Sequence, residues 1–297
     1  MTTDPPNRAR GIVLMLCAGL CWSIGGIIVR SLVLKDVWEI VFWRALFMAV
    51  FLGVLLLMLR GRGALANVRA IGAAGVLAGM CLAAQIYCFI LALLNTTTAN
   101  AFVLMSLSPL FAALAGLLFL RERLAWHTWI AIAFALGGIV IMFGEGLGSG
   151  RWLGNLFALC IPFAYACQIF FVRKVQGAHG KAPDLLPTVL TGALIAMTPA
   201  LWFGWPLEAA APDIWLLALM GCVQLGLGCW LMTLAVHHLR AAEMGLLALT
   251  ETILAPLWVW IGVGERPSNT ALIGGLIVIG SLVLNEVLAL RRRAVIA

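Results

Sequence analysis

The sequence predicts an all-α polytopic membrane protein: ten transmembrane helices in two inverted five-helix repeats. Composition gives the membrane. Hydrophobic residues fill 64% of the 297 positions and charged residues only 10%, whereas a soluble domain is about half apolar and about a quarter charged. The placement of charge gives the helices, because charged residues cluster between apolar runs of about 20 residues, enough to cross a ~30 Å hydrocarbon core. A third observation gives the doubling: the stretch from Ala99 to Arg123 returns 143 positions later as Ala242 to Arg266.

A backbone in lipid must satisfy its own hydrogen bonds, so the runs are helices; a β-barrel would need strict alternation of polar and apolar residues. Taking charge clusters as ends places the spans at 11–30, 38–59, 70–94, 98–120, 126–146, 152–172, 184–204, 213–236, 241–263 and 269–290. Arg8 and Arg10 ahead of an apolar run resemble a signal peptide, but no A-x-A site follows, so the run is kept as the first span. With the N-terminus in the cytoplasm, Arg30, Lys35, Arg151 and Arg266 fall outside, Arg44 lies within the second span, and the other fourteen Lys and Arg fall inside. That asymmetry obeys the positive-inside rule and predicts two cytoplasmic termini. It also accounts for the net charge of +7 without a nucleic-acid partner. The eight cysteines all sit in apolar runs with no C-x-x-C, so they read as small packing residues rather than disulfide or zinc ligands.

The offset of 143 recurs along the chain. Gly11 meets Gly154, Cys17 meets Cys160, Trp22 meets Tyr165, Arg30 meets Arg173, Leu114 meets Leu257, Glu122 meets Glu265 and Gly137 meets Gly280. A shared period of this kind marks an internal repeat. The two units are expected at 1–148 and 149–297. Five spans per unit invert the second copy, an architecture that in secondary transporters places the substrate near the midplane between the halves.

These stretches also resemble a known family. Each half has an aromatic-rich first span (AGLCWSIGGIIVR and FAYACQIFFVRK), the first half has an Arg early in its second span (FWRALF, Arg44), and the fourth spans read SLSPLFAALAGLLFLRERL and LTETILAPLWVWIGVGERP. Together they resemble the EamA family of the drug/metabolite transporter superfamily over residues 10–290, and within it the chain is most similar to the aromatic-amino-acid exporters of the YddG type. Two departures stand out. Glu251-Thr252 replaces a frequent Glu-Pro, with proline at Pro256 instead, and Pro187 stands where Arg44 would have its counterpart. The resemblance implies a secondary transporter of the bacterial inner membrane that exports small organic metabolites, with amino acids, aromatic ones included, as the expected substrates. Drug-like or other metabolites are the alternative. It implies no cofactor, no metal and the lipid bilayer as surroundings, with a monomer as the expected state.

The residues themselves supply candidates. Glu251 lies ten residues into its span, about 15 Å deep, and intramembrane carboxylates face a cavity, a partner or a proton path. It suits a substrate ammonium group or proton coupling; a structural carboxyl is the plainer reading. Arg44, roughly 10 Å below the surface, suits a substrate carboxylate, although snorkelling to the interface is the simpler expectation. Trp22, Gln85, Tyr87, Asn100, Ser108, Tyr165, Gln168, Gln224 and Trp230 form a polar and aromatic set fit to line a substrate cavity. Other tryptophans near span ends (Trp38, Trp43, Trp126, Trp129, Trp152, Trp205, Trp215 and Trp260) read as an interfacial belt. Pro109, Pro162, Pro199 and Pro256 free the carbonyls of Met105, Ala158, Ile195 and Thr252, which a local hydroxyl or a cavity must satisfy. His237, His238 and Glu243 match no helical metal motif. No His lies mid-span and no G-x-x-x-x-G-K-[ST] loop occurs, so neither an intramembrane enzyme nor direct ATP use is expected. A channel would tolerate Glu251→Gln and show no saturable exchange.

Overall fold

The computed structural model describes residues 7–61, 71–120, 125–148, 150–179, 185–239 and 241–296. The Arg121-Glu122-Arg123 motif, Arg62, Arg69, Lys181 and Arg240 lie outside the described residues. Ten helices are long and apolar enough to span a membrane: Arg8–Ser31, Val37–Arg60, Gly72–Asn95, Thr98–Leu118, Trp126–Gly144, Trp152–Val172, Leu186–Phe203, Ala211–Ala235, Glu243–Val263 and Asn269–Leu288. Each matches its predicted span to within a few residues. Side-chain caps start several of them. Asn7 accepts from the amide of Arg10 at 3.2 Å, Asp36 from that of Glu39 at 2.8 Å and Thr97 from that of Asn100 at 3.3 Å, each satisfying an amide with no partner inside its helix.

The packing repeats as the sequence does. The first span lies against the eighth and ninth, and its counterpart, the sixth, lies against the third and fourth. The second packs on the seventh and eighth, the seventh on the second and third, while the fourth pairs with the ninth and the fifth with the tenth. Exchanging each span for the one five places on returns these same pairings, so the two inverted halves interlock rather than standing side by side. Met48, Leu52, Ile90, Phe102, Leu217 and Met220 fill the interior between them. Leu118, Val140, Ile261 and Leu276 point outward, as lipid contact permits.

Lipid tails are as apolar as Leu, so helix association in a bilayer relies on close approach and internal hydrogen bonds. Both devices are present. A Cβ on Gly138 would come within 2.7 Å of the Gly274 carbonyl, and one on Gly274 within 2.8 Å of the Gly138 carbonyl, whereas Gly137 and Gly280 have nothing within 4 Å. The close approach of the fifth and tenth spans therefore runs through Gly138 and Gly274. Gly138→Val is expected to cost about 1–3 kcal/mol by overpacking and to lower the melting temperature in detergent, with Gly137→Val as the control that leaves it unchanged. At the end of the bundle that holds Arg30, buried carboxylates tie loops across the halves. Asp213 accepts from the amides of Val33 and Leu34 at 3.1 and 2.9 Å, and Glu39 from the amide of Ala209 at 2.6 Å.

Candidate substrate site at the helix breaks

Three spans are interrupted in mid-course. The first ends one helix at Ser23 and starts another at Gly25. The fourth breaks between Met105 and Ser108, next to Pro109. The eighth widens into a π-helix over Met220–Leu227, a rare form concentrated at functional sites. The sequence announces only the second of these, through its proline. The backbone groups released there are largely satisfied in place: Ser108 donates to the Met105 carbonyl at 2.7 Å and Ser106 to that of Val103 at 2.6 Å. Tyr87 donates to the Ala196 carbonyl at 2.8 Å, beside the Pro199 kink.

Arg44 sits where the first and eighth spans break. Its Nη2 donates to Gln224 Oε1 at 3.1 Å, and its Cζ lies 4.8 Å from the centroid of the Phe89 ring. The residue is 2% exposed, so the guanidinium does not snorkel to the interface as its short distance from the surface suggested. The reason is local. Gln224 and the Phe89 face offer a polar and a π partner at midcourse, and a cation over an aromatic ring gains more once desolvated. A guanidinium has five N–H donors, yet Nε and Nη1 have no partner, and among the described residues no carboxylate pairs with it.

Gln224 also donates from Nε2 to the Trp22 carbonyl at 3.4 Å. Trp22 packs its indole against the bare backbone of Gly228, next in sequence to the buried Cys229, which is coupled electrostatically to Arg44 and to Glu251. Glu251 is half-buried on the ninth span, with its backbone facing Gly19 of the first. One centre thus unites three predicted residues, Trp22, Arg44 and Gln224, with Cys229 coupled electrostatically both to Arg44 and to Glu251, the fourth. Phe89 joins them although nothing in the sequence singles it out. Alongside, Trp258 donates to the Ser23 hydroxyl at 3.0 Å, securing the break in the first span.

The other candidates lie elsewhere. Gln85 donates to Gln168 at 2.8 Å across the third and sixth spans. Asn100 and Thr96 both donate to Asn155 Oδ1, at 3.4 and 2.6 Å, toward the Arg30 end. Tyr165 and Trp230 are half-buried on the sixth and eighth spans. His238 does not join Glu243 in a metal site; Glu243 instead pairs with Arg8 at 2.8 Å. No group of three or more His, Cys, Asp or Glu side chains suited to a metal exists among the described residues, and all eight cysteines are free thiols.

Sequence reasoning missed an ion pair. Arg30, at the end of the first span, meets Glu265, just past the ninth, at 2.6 Å. Arg30 also donates to the Thr96 carbonyl at 2.6 Å, and Glu265 accepts from the Thr98 amide at 2.7 Å. The cluster binds the ends of the first and ninth spans to the start of the fourth, two of these three being broken spans. The only signal in the sequence is that both residues sit beside span ends on the same side.

Ten spans, an interlocked inverted repeat and a buried polar centre at broken helices define a polytopic transporter. The chain belongs to the EamA-like transporter family, whose model matches residues 9–144 and 152–286. Among its relatives, the pseudopaline exporter CntI of Pseudomonas aeruginosa (strain UCBPP-PA14) is 25% identical over 273 residues, covering 91% of this chain and 93% of that protein. A probable terminal-alkyne amino-acid exporter of Streptantibioticus cattleyicolor is 24% identical over 200 residues, 65% of this chain and 66% of that one. A protein of known crystal structure superimposes with a TM-score of 0.68 at 17% identity, covering 95% of this chain and 99% of its own.

Proposed function

We propose that this chain exports small metabolites bearing a carboxylate, amino acids including aromatic ones being the leading class, across the bacterial inner membrane by alternating access. The observation that carries the reading is Arg44: a buried guanidinium whose Nε and Nη1 are unpartnered and which pairs with no carboxylate among the described residues. Leaving a buried charge unpaired costs several kcal/mol, and an incoming carboxylate would supply the missing acceptors. Glu251, coupled electrostatically to the same Cys229, would then serve the ammonium group or a coupling proton. Residues 1–148 and 149–297 would rock about this centre, and the Arg30–Glu265 cluster would hold one end shut. The charge asymmetry supports an external position for that end and cytoplasmic termini. The relative named as an amino-acid exporter supports the substrate class. The relative named for pseudopaline, matched over nearly the whole chain, favours the second reading, export of drug-like or other metabolites.

Counterflow in proteoliposomes loaded with unlabelled amino acids tests the proposal, and saturable exchange by at least one of them is expected. Exchange by other metabolites alone would remove the amino-acid reading. Run with and without a pH gradient, the same assay examines Glu251: Glu251→Gln is expected to keep exchange and lose the response to the gradient.

A further inference from the structure

The π-helical turn at Met220–Leu227 carries Gln224 to a position where both polar atoms of its amide already have a protein partner. Its Nε2 faces the Trp22 carbonyl and its Oε1 faces Arg44 Nη2. A flipped amide would set an oxygen against a carbonyl and an NH2 against a guanidinium, two repulsive contacts in place of two bonds, so the orientation is fixed. Space confirms the fit. A Cβ on Gly25, just after the break, would lie 3.1 Å from Gln224 Nε2 and 3.0 Å from the Phe89 ring. Residue 25 therefore has to be small for Gln224 and Phe89 to reach Arg44 from opposite spans. Gln224 itself is 3% exposed.

We infer that Gln224 is a positioning residue rather than a substrate ligand: it links the broken first span to Arg44 through Nη2 and leaves Nε and Nη1, on different edges of the guanidinium, as free donors, either of which can meet a substrate carboxylate. This rests on the proposed carboxylate role of Arg44 and adds to it the residue that fixes the geometry. A neutral amide is the fitting choice, because it orients the guanidinium without neutralising it. A carboxylate at the same position would satisfy Arg44 from within and leave a second oxygen against the Trp22 carbonyl.

The test compares L-phenylalanine with L-phenylalaninamide as competitors of amino-acid counterflow, using the full chain in proteoliposomes. The wild type is expected to favour the free acid by about 10- to 100-fold, as loss of a hydrogen bond to a charged group implies. In Gln224→Glu that preference is expected to collapse toward parity, with the internal carboxylate occupying Arg44. In Gln224→Ala it is expected to fall partway, because the guanidinium is present but no longer held; this variant also serves if Gln224→Glu does not fold. A purely structural glutamine would lower transport of both competitors' target equally and leave the ratio alone. Variants that keep the wild-type ratio overturn the positioning role while Arg44 stands. A wild type that does not distinguish acid from amide overturns the Arg44 reading first and this inference with it.

Discussion

Arg44→Met stops amino-acid exchange and leaves the fold at least as stable as the wild type. Both halves of that result follow from burial without a counter-charge. Replacing buried ionic groups by apolar ones of similar volume is often neutral or stabilising by about 1–4 kcal/mol, and methionine is an unbranched apolar side chain able to fill the space beside Phe89. Loss of a charge-assisted contact to substrate costs about 1.5–3 kcal/mol, and a carboxylate entering the site would also find no counter-charge. Transport rate and melting temperature in detergent are the measurements. A structural arginine would behave in the opposite way, with a lower melting temperature and residual exchange in whatever protein remained folded.

Glu265→Gln and Arg30→Gln each release the Arg30 end of the bundle. The ion pair spans the first and ninth spans with both side chains about one-quarter exposed, so water screens it only partly, and its carboxylate also caps the helix that starts at Thr98. Each substitution is expected to speed hydrogen exchange of the amides over 98–105 by about tenfold, the scale of a local opening made easier by roughly 1.4 kcal/mol. The double variant should be little worse than either single one, since contacting partners couple instead of adding. Strictly additive effects would mean that the two residues act separately and that no latch exists. At the opposite end, Arg8 is 73% exposed against Glu243, and neutralising that pair should change little.

The sequence was most legible where one physical rule dominates. Hydropathy and charge place all ten spans, because a bilayer accepts little else, and the 143-residue offset anticipates the interlocked packing because counterpart helices bury counterpart faces. Legibility fails where the outcome depends on which atoms meet. Pro109 announces the break in the fourth span, but the interruption at Ser23–Gly25 and the π-helix over 220–227 involve no proline, so nothing local marks them. Depth along a helix placed Arg44 near enough to the surface to snorkel; only the arrival of Gln224 and Phe89 from two other spans keeps it inside. Ser108 and Tyr87 had been candidates for a cavity as polar groups at membrane depth. In the fold Ser108 bonds the Met105 carbonyl that Pro109 frees, and Tyr87 bonds the Ala196 carbonyl three residues before Pro199. Arg30 and Glu265 lie 235 residues apart and meet only through tertiary structure.

Cys229 offers the most direct measurement, since it is a buried native thiol coupled electrostatically to both Arg44 and Glu251. With the other seven cysteines replaced, its alkylation by a membrane-impermeant thiol reagent can be followed from each face of an oriented proteoliposome. Alternating access around this centre predicts labelling from both faces, slowed on both by the exchanged amino acid. Labelling from one face alone, or a rate that no amino acid alters, would contradict it.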